Sequence, residues 1–299
     1  MKKRQLFTSL ALSAVIVFAG LPVQAAGTNV AVSVEVQQAS KNAVNWEKGA
    51  QADITAIGIG LPPENAGNRG QTLARRAAIV DAYRNLAEII QGVSVDSETT
   101  IENLTLSSDV VQAKVSALVQ GARILEEGPE MDGSYYVQMS VPLYGRQKSL
   151  AAIALPQLKQ EREAFAVVKD TELTKQEQAE VSAASYTGVI VNAAGMELVP
   201  TFSPVIYDEN GRAIYGIRNI DRDLAIEQGM AEYASDLEAA ASASRAGANP
   251  LVINAVAVKG GQNSANKVNV VVSVNDGDRI LLANEQSGIL NRCAVVFVK

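Results

Sequence analysis

Two adjacent arginines, Arg75 and Arg76, begin a predicted helix just after a glycine-rich loop that contains Asn68 and Arg69. Free backbone amides at a helix N-terminus, together with guanidinium groups, can hold a phosphate or a carboxylate. We therefore predict an anion-binding site at Asn68, Arg69, Arg75 and Arg76. The alternative is structural: one arginine pairs with a nearby carboxylate and the other packs its aliphatic stem along a sheet.

The residue inventory leaves little room for catalysis. The chain has no histidine, which excludes Ser-His-Asp catalysis and histidine-containing zinc sites. The run Ser264–Lys267 has Ser-x-x-Lys spacing but lacks the companion motifs of the penicillin-recognising enzymes. We predict that the chain is not an enzyme and has no catalytic residues.

Two further motifs fail as cofactor or metal sites. Gly58-Ile-Gly60 is not a dinucleotide fingerprint, because Pro63 stands where the third glycine is needed. Asn275-Asp276-Gly277-Asp278 lacks the ligand spacing and closing glutamate of a calcium loop, and it predicts a turn. The sequence therefore predicts neither a cofactor nor a metal ion.

The N-terminus has the organisation of a signal peptide. Lys2, Lys3 and Arg4 precede an apolar stretch, and Val23-Gln24-Ala25 supplies small residues for cleavage near Ala25. The alternative, an uncleaved anchor, fits less well because the stretch is shorter than the roughly 20 residues that span a bilayer. We expect a periplasmic or outer-membrane-associated protein without a transmembrane helix in its mature form.

The net charge and the single cysteine limit the classes of binding partner that the sequence favours. Cleavage after residue 25 would take the formal net charge from −6 to −9, and no cluster of Lys and Arg suits nucleic acid. The single cysteine, Cys293, lies in an apolar run, so we expect it to be buried rather than paired. The predicted partners are other copies of the chain or other envelope proteins, and not nucleic acid.

Hydrophobic periodicity and turn signals divide the mature chain into four parts. We predict a lead segment at 26–50, a first domain at 51–146, a charged helical connector at 147–185 and a second domain at 186–299. Both domains combine strands, a long helix and hairpins, which indicates an α+β fold. Each would have a small antiparallel or mixed sheet covered by one or two helices.

Within the first domain, we expect a strand at 53–60 and the arginine helix ending at Gln91, with Ile79, Tyr83, Leu86 and Ile90 on its apolar face. An extended stretch at 93–106, a helix at 110–120 and a hairpin at 123–144 would follow. In the second domain we expect strands at 187–193, 251–258 and 267–274. A hairpin at 205–215, a single helix at 221–245 and a last strand at 295–298 complete the prediction.

The first domain resembles a known family. The residues that carry the resemblance are Ile57-Gly58-Ile59-Gly60, Ala74-Arg75-Arg76-Ala77-Ala78, Asp81-Ala82-Tyr83-Arg84-Asn85-Leu86-Ala87-Glu88 and Ile90-Gln91-Gly92-Val93. Over about residues 50–145, they resemble the Lpp-twenty family of outer-membrane lipoproteins, which is similar to the N-terminal domain of the flagellar assembly T protein. The second domain looks like one that often follows it.

The resemblance implies an envelope protein of structural or assembly type, and it implies no catalysis. Lipoprotein members have a cysteine after the signal, where this chain has Ala25-Ala26. The predicted function is thus a non-enzymatic, oligomeric envelope protein, with a flagellar basal-body ring or the outer membrane as its location. The alternative is a periplasmic ligand-binding module that holds an anionic envelope molecule near Gly67–Arg76.

Overall fold

The computed structural model describes residues 43–168, 173–261 and 266–299. The predicted signal peptide at 1–25 and the predicted lead segment up to residue 42 lie outside these ranges. All described residues belong to one compact unit. Among them, no helix is both long enough and apolar enough to cross a bilayer.

The first block is an antiparallel sheet with helices on it. Its elements are β1 (Ala43–Val44), β2 (Asp53–Gly60), α1 (Gly70–Gln91), α2 (Ile101–Ser107), α3 (Asp109–Gln120), β3 (Arg123–Pro129) and β4 (Tyr135–Pro142). The strand order is β1-β2-β4-β3, and every neighbouring pair is antiparallel. The predicted arginine helix is present and ends at Gln91 as expected, but it begins at Gly70, before the two arginines. The predicted helix at 110–120 and the hairpin are also present. Ser108 caps α3 by accepting a hydrogen bond from Val111 N.

Helix α1 lies on β2 at backbone contact distance. A Cβ built on Gly58 would come within 2.1 Å of Ala78 O and Ala82 N, and one on Gly60 within 2.0 Å of Ala74 O. Only glycine fits beneath a helix this close. The Gly-x-Gly motif therefore serves packing, and the facing positions on the helix must be alanine.

This packing corrects the predicted apolar face of α1. Leu86 and Ile90 are buried as expected, but Ile79 and Tyr83 are only partly buried. Ala74, Ala78 and Ala82 face the sheet instead. Hydrophobicity alone favoured the larger side chains, whereas the glycines of β2 leave room only for methyl groups.

Side chains of α1 also cover the edge of β2 beyond the short strand β1. Asn85 Nδ2 donates to Ile57 O at 2.7 Å, and Ile59 N donates to Asp81 Oδ2 at 3.0 Å. An open edge would offer these backbone groups to another chain. Helix α1 thus closes this side of the sheet.

The extended stretch predicted at 93–106 is wrong over its second half, which forms α2. Thr100 Oγ1 accepts from Asn103 N, and Asn103 Oδ1 accepts from Thr100 N. This reciprocal capping box starts a helix despite several Thr and Ser residues nearby.

The connector is less helical than predicted. Helix α4 covers Leu150–Ala154 and α5 covers Lys175–Ala183, whereas residues 158–168 have no regular secondary structure. This irregular part lies along the second block. Glu163 N donates to Arg218 O at 2.7 Å, and Arg222 donates to Leu158 O at 2.9 Å.

The second block contains two four-stranded sheets. Its elements are β5 (Gly188–Asn192), β6 (Ile206–Asp208), β7 (Ala213–Tyr215), α6 (Arg222–Gln228), β8 (Glu232–Ala234), α7 (Leu237–Ser242), β9 (Pro250–Asn254), β10 (Ala257–Lys259), β11 (Asn269–Val272), α8 (Val274–Ser287) and β12 (Val295–Val298). The order β8-β12-β5-β9 is entirely parallel, whereas β10-β11-β6-β7 is mixed. The predicted α+β class is confirmed.

The single helix predicted at 221–245 is wrong. Gly229, at φ 80°, ends α6, and its missing Cβ leaves room for the Tyr144 ring. Tyr233 then lies in strand β8, and Asp236 caps the separate helix α7. The sequence predicted one helix because the apolar residues from α6 through β8 to α7 are spaced at three or four along the chain, as on one face of a helix.

Helix α8 was not predicted. Ser273 Oγ accepts from Asp276 N and caps it, so Asn275–Asp278 forms its first turn rather than a loop. A cap followed by acidic residues is a helix-start signal. The strand predicted at 267–274 therefore ends at Val272, two residues earlier.

An aromatic cluster joins the two blocks. Trp46 makes edge contacts with Phe202 at 5.3 Å and Tyr233 at 5.7 Å between ring centroids, and Tyr144 packs edge-on against Phe202. Gly145 N also donates to Ile226 O at 2.8 Å. The two blocks therefore share one continuous hydrophobic core.

Candidate functional site

Arg75, the first candidate of the predicted anion site, is bound to a carboxylate. Its Nε lies 2.8 Å from Glu127 Oε2 and its Nη2 lies 3.0 Å from Oε1, which makes a bidentate pair between α1 and β3. Hydrogen bonding to Glu127 raises the pKa of Arg75 above its ordinary value. This is the structural alternative for one of the two arginines.

The other members of the predicted site are not drawn together with Arg75. Arg69 and Arg76 are exposed, and within the described part of the chain neither has a carboxylate at ion-pair distance. The side chain of Asn68 lies outside the described residues. The anion site at Asn68–Arg76 therefore stays a prediction, with Arg75 already engaged.

Other motifs of the sequence have structural roles. Lys267 of the Ser-x-x-Lys run pairs with Glu197 at 2.7 Å, and Ser264 lies outside the described residues. Asp276 sits in the capped first turn of α8, where its carboxylate also bonds Arg279. Across the residues the structure describes, no three or more potential Cys, Asp or Glu ligands are grouped as a metal site would need.

The second block buries charged groups in pairs. Arg212 bridges two aspartates that are almost fully buried, at 2.8 Å to Asp208 and 2.6 Å to Asp278. Arg245 donates to the backbone carbonyls of Gln228, Gly229 and Cys293 and lies 3.7 Å from Glu232. Each of these arginines therefore holds separate segments of the second block together.

An open cavity of about 730 Å³ lies in the first block, between α3, α4 and the ends of β2 and β4. Its apolar wall includes Ala117 and Leu118 of α3, Ala152 and Ile153 of α4, and the ring of Tyr144. A volume of this size is typical of sites that hold small organic molecules.

Cationic side chains converge on this cavity. Lys114 from α3, Arg123 from β3 and Lys148 from the loop before α4 all line it, and each is exposed. Among the described residues, none of the three has a carboxylate within ion-pair distance, whereas the fourth cation, Arg146, pairs with Glu227 at 2.8 Å. The cavity thus concentrates uncompensated positive charge in an acidic chain.

The acidic side chain in the cavity wall, Asp53, is neutralised by its neighbours. Partial burial raises the pKa of Asp53. Hydrogen bonds from Lys48, Asn45 and Ser140, together with the charge of Lys48, outweigh this effect, so the pKa is lowered overall. Its Oδ1 lies 2.7 Å from Lys48 Nζ. Asp53 therefore stays ionised and paired, and it subtracts little from the positive charge of the cavity.

The loop that holds Lys148 is rigidly formed. Lys148 has φ 54°, a left-handed conformation that costs a non-glycine residue about 1 kcal/mol or more. The next residue, Ser149, is fully buried, donates to Gly145 O and caps α4 by accepting from Ala152 N at 3.1 Å. The hydrogen bonds of this buried serine hold the loop backbone on both sides of Lys148.

Sequence reasoning did not find this cavity, because its cations are far apart in the chain. Lys114, Arg123 and Lys148 belong to three different elements, and no local spacing relates them. Only the hairpin β3–β4 and the turn into α4 bring them together. The available signal was indirect: Lys114 and Lys148 have no nearby acidic residue in sequence, although the chain is acidic as a whole.

Comparison with known proteins matches each block separately. Residues 45–141 match the model of the LPP20 lipoprotein family, and residues 188–299 match the model described as Treponema pallidum Tp0624, second domain. Each match covers about a third of the chain. No curated protein matches. The Lpp-twenty resemblance of the first block is confirmed, whereas its similarity to the flagellar assembly T protein stays a prediction.

Proposed function

We propose that this chain is a non-enzymatic, envelope-associated protein that works in assembly or structure, in the periplasm or at the outer membrane. The observation that carries the proposal is the match of residues 45–141 to a family of lipoproteins, which are envelope components. The absence of a cysteine near Ala25 favours attachment through protein contacts over a lipid anchor.

The arrangement of charged groups supports binding over catalysis. In the described ranges, the buried Asp208 and Asp278 are paired with Arg212, and Arg245 is bound to backbone carbonyls and lies beside Glu232. A catalytic acid or base needs access to a substrate.

Self-association through β3 is the mechanism that the first block supports. β3 is the last strand of its sheet and is exposed along most of its length. Its register with β4 shifts between Ile124 and Glu126, so Leu125 forms a bulge, a device that limits pairing to partners of matching shape.

Two-fold antiparallel pairing of β3 with a second copy of the same strand, centred on Leu125, would bring the exposed apolar side chains of both copies together. Ile124 and Leu125, which are 37% and 43% exposed, would then be covered. The acidic surface keeps separate molecules apart until this geometry is met.

Chemical crosslinking of intact envelopes tests the proposal. An Ile124→Lys, Leu125→Lys variant should lose the crosslinked dimer, because it places charge on the covered side chains. The matched control, Val80→Lys with Leu106→Lys, changes two exposed apolar residues on α1 and α2 and should crosslink as wild type does. Equal crosslinking of both variants would contradict pairing through β3, and recovery of the chain from the cytosol would contradict the envelope location.

The flagellar version of the proposal has its own test. If the chain is a component of a basal-body ring, it should copurify with isolated basal bodies and remain after a salt wash. Its presence only in the free envelope fraction would leave the assembly role but remove this location.

A further inference from the structure

We infer that the cavity between α3 and α4 binds one amphiphilic molecule with an anionic head group and an apolar body. The inference does not depend on self-association, since the cavity is formed within one chain. It also differs in place from the predicted anion site at Asn68–Arg76, because that loop does not line the cavity.

The anionic end follows from the three uncompensated cations. Lys114, Arg123 and Lys148 lie on separate elements around the cavity, so a group between them receives donors from several directions. Hydrogen bonds from charged donors to a phosphate or carboxylate are the strong ones in proteins. Positive charge in a concave site of a negatively charged molecule also attracts anions selectively to that point.

The apolar end follows from the helix side chains that line the same cavity. Leu118 and Ile153 are buried core residues whose side chains reach the cavity, and Ala117 and Ala152 keep the space between α3 and α4 open. A volume of about 730 Å³ far exceeds the room that a free phosphate needs. Its charge and shape therefore fit an amphiphile better than a small inorganic anion.

Isothermal titration calorimetry with three probes tests the inference. The probes are short-chain phosphatidylglycerol below its critical micelle concentration, phosphatidylcholine of the same chain length, and glycerol 3-phosphate. The phosphatidylglycerol should bind best. Losing the net negative charge or losing the acyl chains should each weaken binding about tenfold or more. Added salt should weaken the phosphatidylglycerol complex.

Variants of the cavity separate its two ends. Lys114→Gln with Lys148→Gln should weaken phosphatidylglycerol binding about tenfold or more. The matched control, Lys159→Gln with Lys175→Gln, removes two exposed lysines that do not line the cavity and should bind as wild type does. Ala117→Leu fills the apolar wall with a good helix former, so it should weaken phosphatidylglycerol but not glycerol 3-phosphate.

Four outcomes would overturn the inference. Wild-type chain that binds none of the probes lacks the site. Equal binding by the two lysine pairs would remove the cavity cations from recognition. Binding of glycerol 3-phosphate as tight as that of phosphatidylglycerol would reduce the site to a small-anion site. Loss of binding in Arg69→Gln with Arg76→Gln alone would move recognition to the loop before α1.

Discussion

The interiors of the two blocks are stabilised by different kinds of contact. In the first block, glycine and alanine bring α1 into backbone contact with β2, and most charged groups stay at the surface. In the second block, arginines are held between nearly buried carboxylates and backbone carbonyls. The stability of the first block depends on small side chains where α1 meets β2. The stability of the second block depends on a partner for each buried charged group.

The difference shows where each block tolerates change. A contact between backbones cannot yield to an added methyl group, because neither partner has a rotamer to change. A buried ion pair tolerates changes of shape but not the loss of one partner, which leaves a charge in a poorly solvated place. The exposed rim of the first block, including the cavity and β3, is free of both constraints and can carry binding.

The largest expected effect is in the second block. Arg212→Ala leaves Asp208 and Asp278 facing each other without their shared cation, and should cost about 4 kcal/mol of unfolding free energy. Arg218→Ala is the control, because its ion pair with Glu163 is exposed at both ends. Urea unfolding measures both. Similar losses for the two variants would contradict the structural role of the buried pair.

The backbone contact of the first block should be nearly as sensitive. Gly58→Ala forces a Cβ into Ala78 O and Ala82 N, and should cost about 3 kcal/mol or prevent folding. Gly92→Ala is the matched control: its Cβ would meet Ile89 O at 3.6 Å, an ordinary contact, and φ is −74°. It should therefore be neutral or slightly stabilising. A tolerated Gly58→Ala would mean that α1 does not lie on β2 as described.

The pH dependence of stability should have opposite signs at two carboxylates. The pKa of Asp53 is lowered from 3.8, so its contribution is present above that pH and is lost as pH falls through the folded pKa. Burial raises the pKa of Glu232, with Arg245 opposing, so its contribution is lost as pH rises through the folded pKa. Asp53→Asn should make the unfolding free energy less sensitive to acid. Glu232→Gln should reduce the fall in unfolding free energy as pH rises above 4.5.

Unfolding free energies measured from acid to neutral pH for both variants check these signs. The effects of these two substitutions should be the smallest of those predicted, because both carboxylates keep some contact with solvent. The same pH dependence in both variants would contradict the opposite pKa shifts of Asp53 and Glu232.

Local signals predicted the first block well and the second block in part. The glycine at 92, the serine at 108 and the hairpin turn near 132 each determine the chain direction within a few residues. Helix 221–245 failed because Gly229 acts through a distant contact with Tyr144, which no local window contains. Helix α8 failed because an Asn-Asp-Gly run is equally typical of a turn.

The candidate site was harder to predict for the same reason. Arg75 and Arg76 are adjacent in sequence, yet the carboxylate that binds Arg75 is Glu127, which comes from the distant strand β3. Lys114 and Lys148 reach one cavity only after α3, the hairpin and α4 are in place. Chemistry that depends on distant residues follows from the fold rather than from a motif.

Native mass spectrometry of residues 26–299 tests the central claim, that the chain acts by association, most directly. Over rising concentration, the wild-type chain should form dimers or larger assemblies, and the Ile124→Lys, Leu125→Lys variant should remain monomeric at concentrations where wild type does not. A wild-type chain that stays strictly monomeric throughout, in the presence of envelope extract as well, would contradict the account.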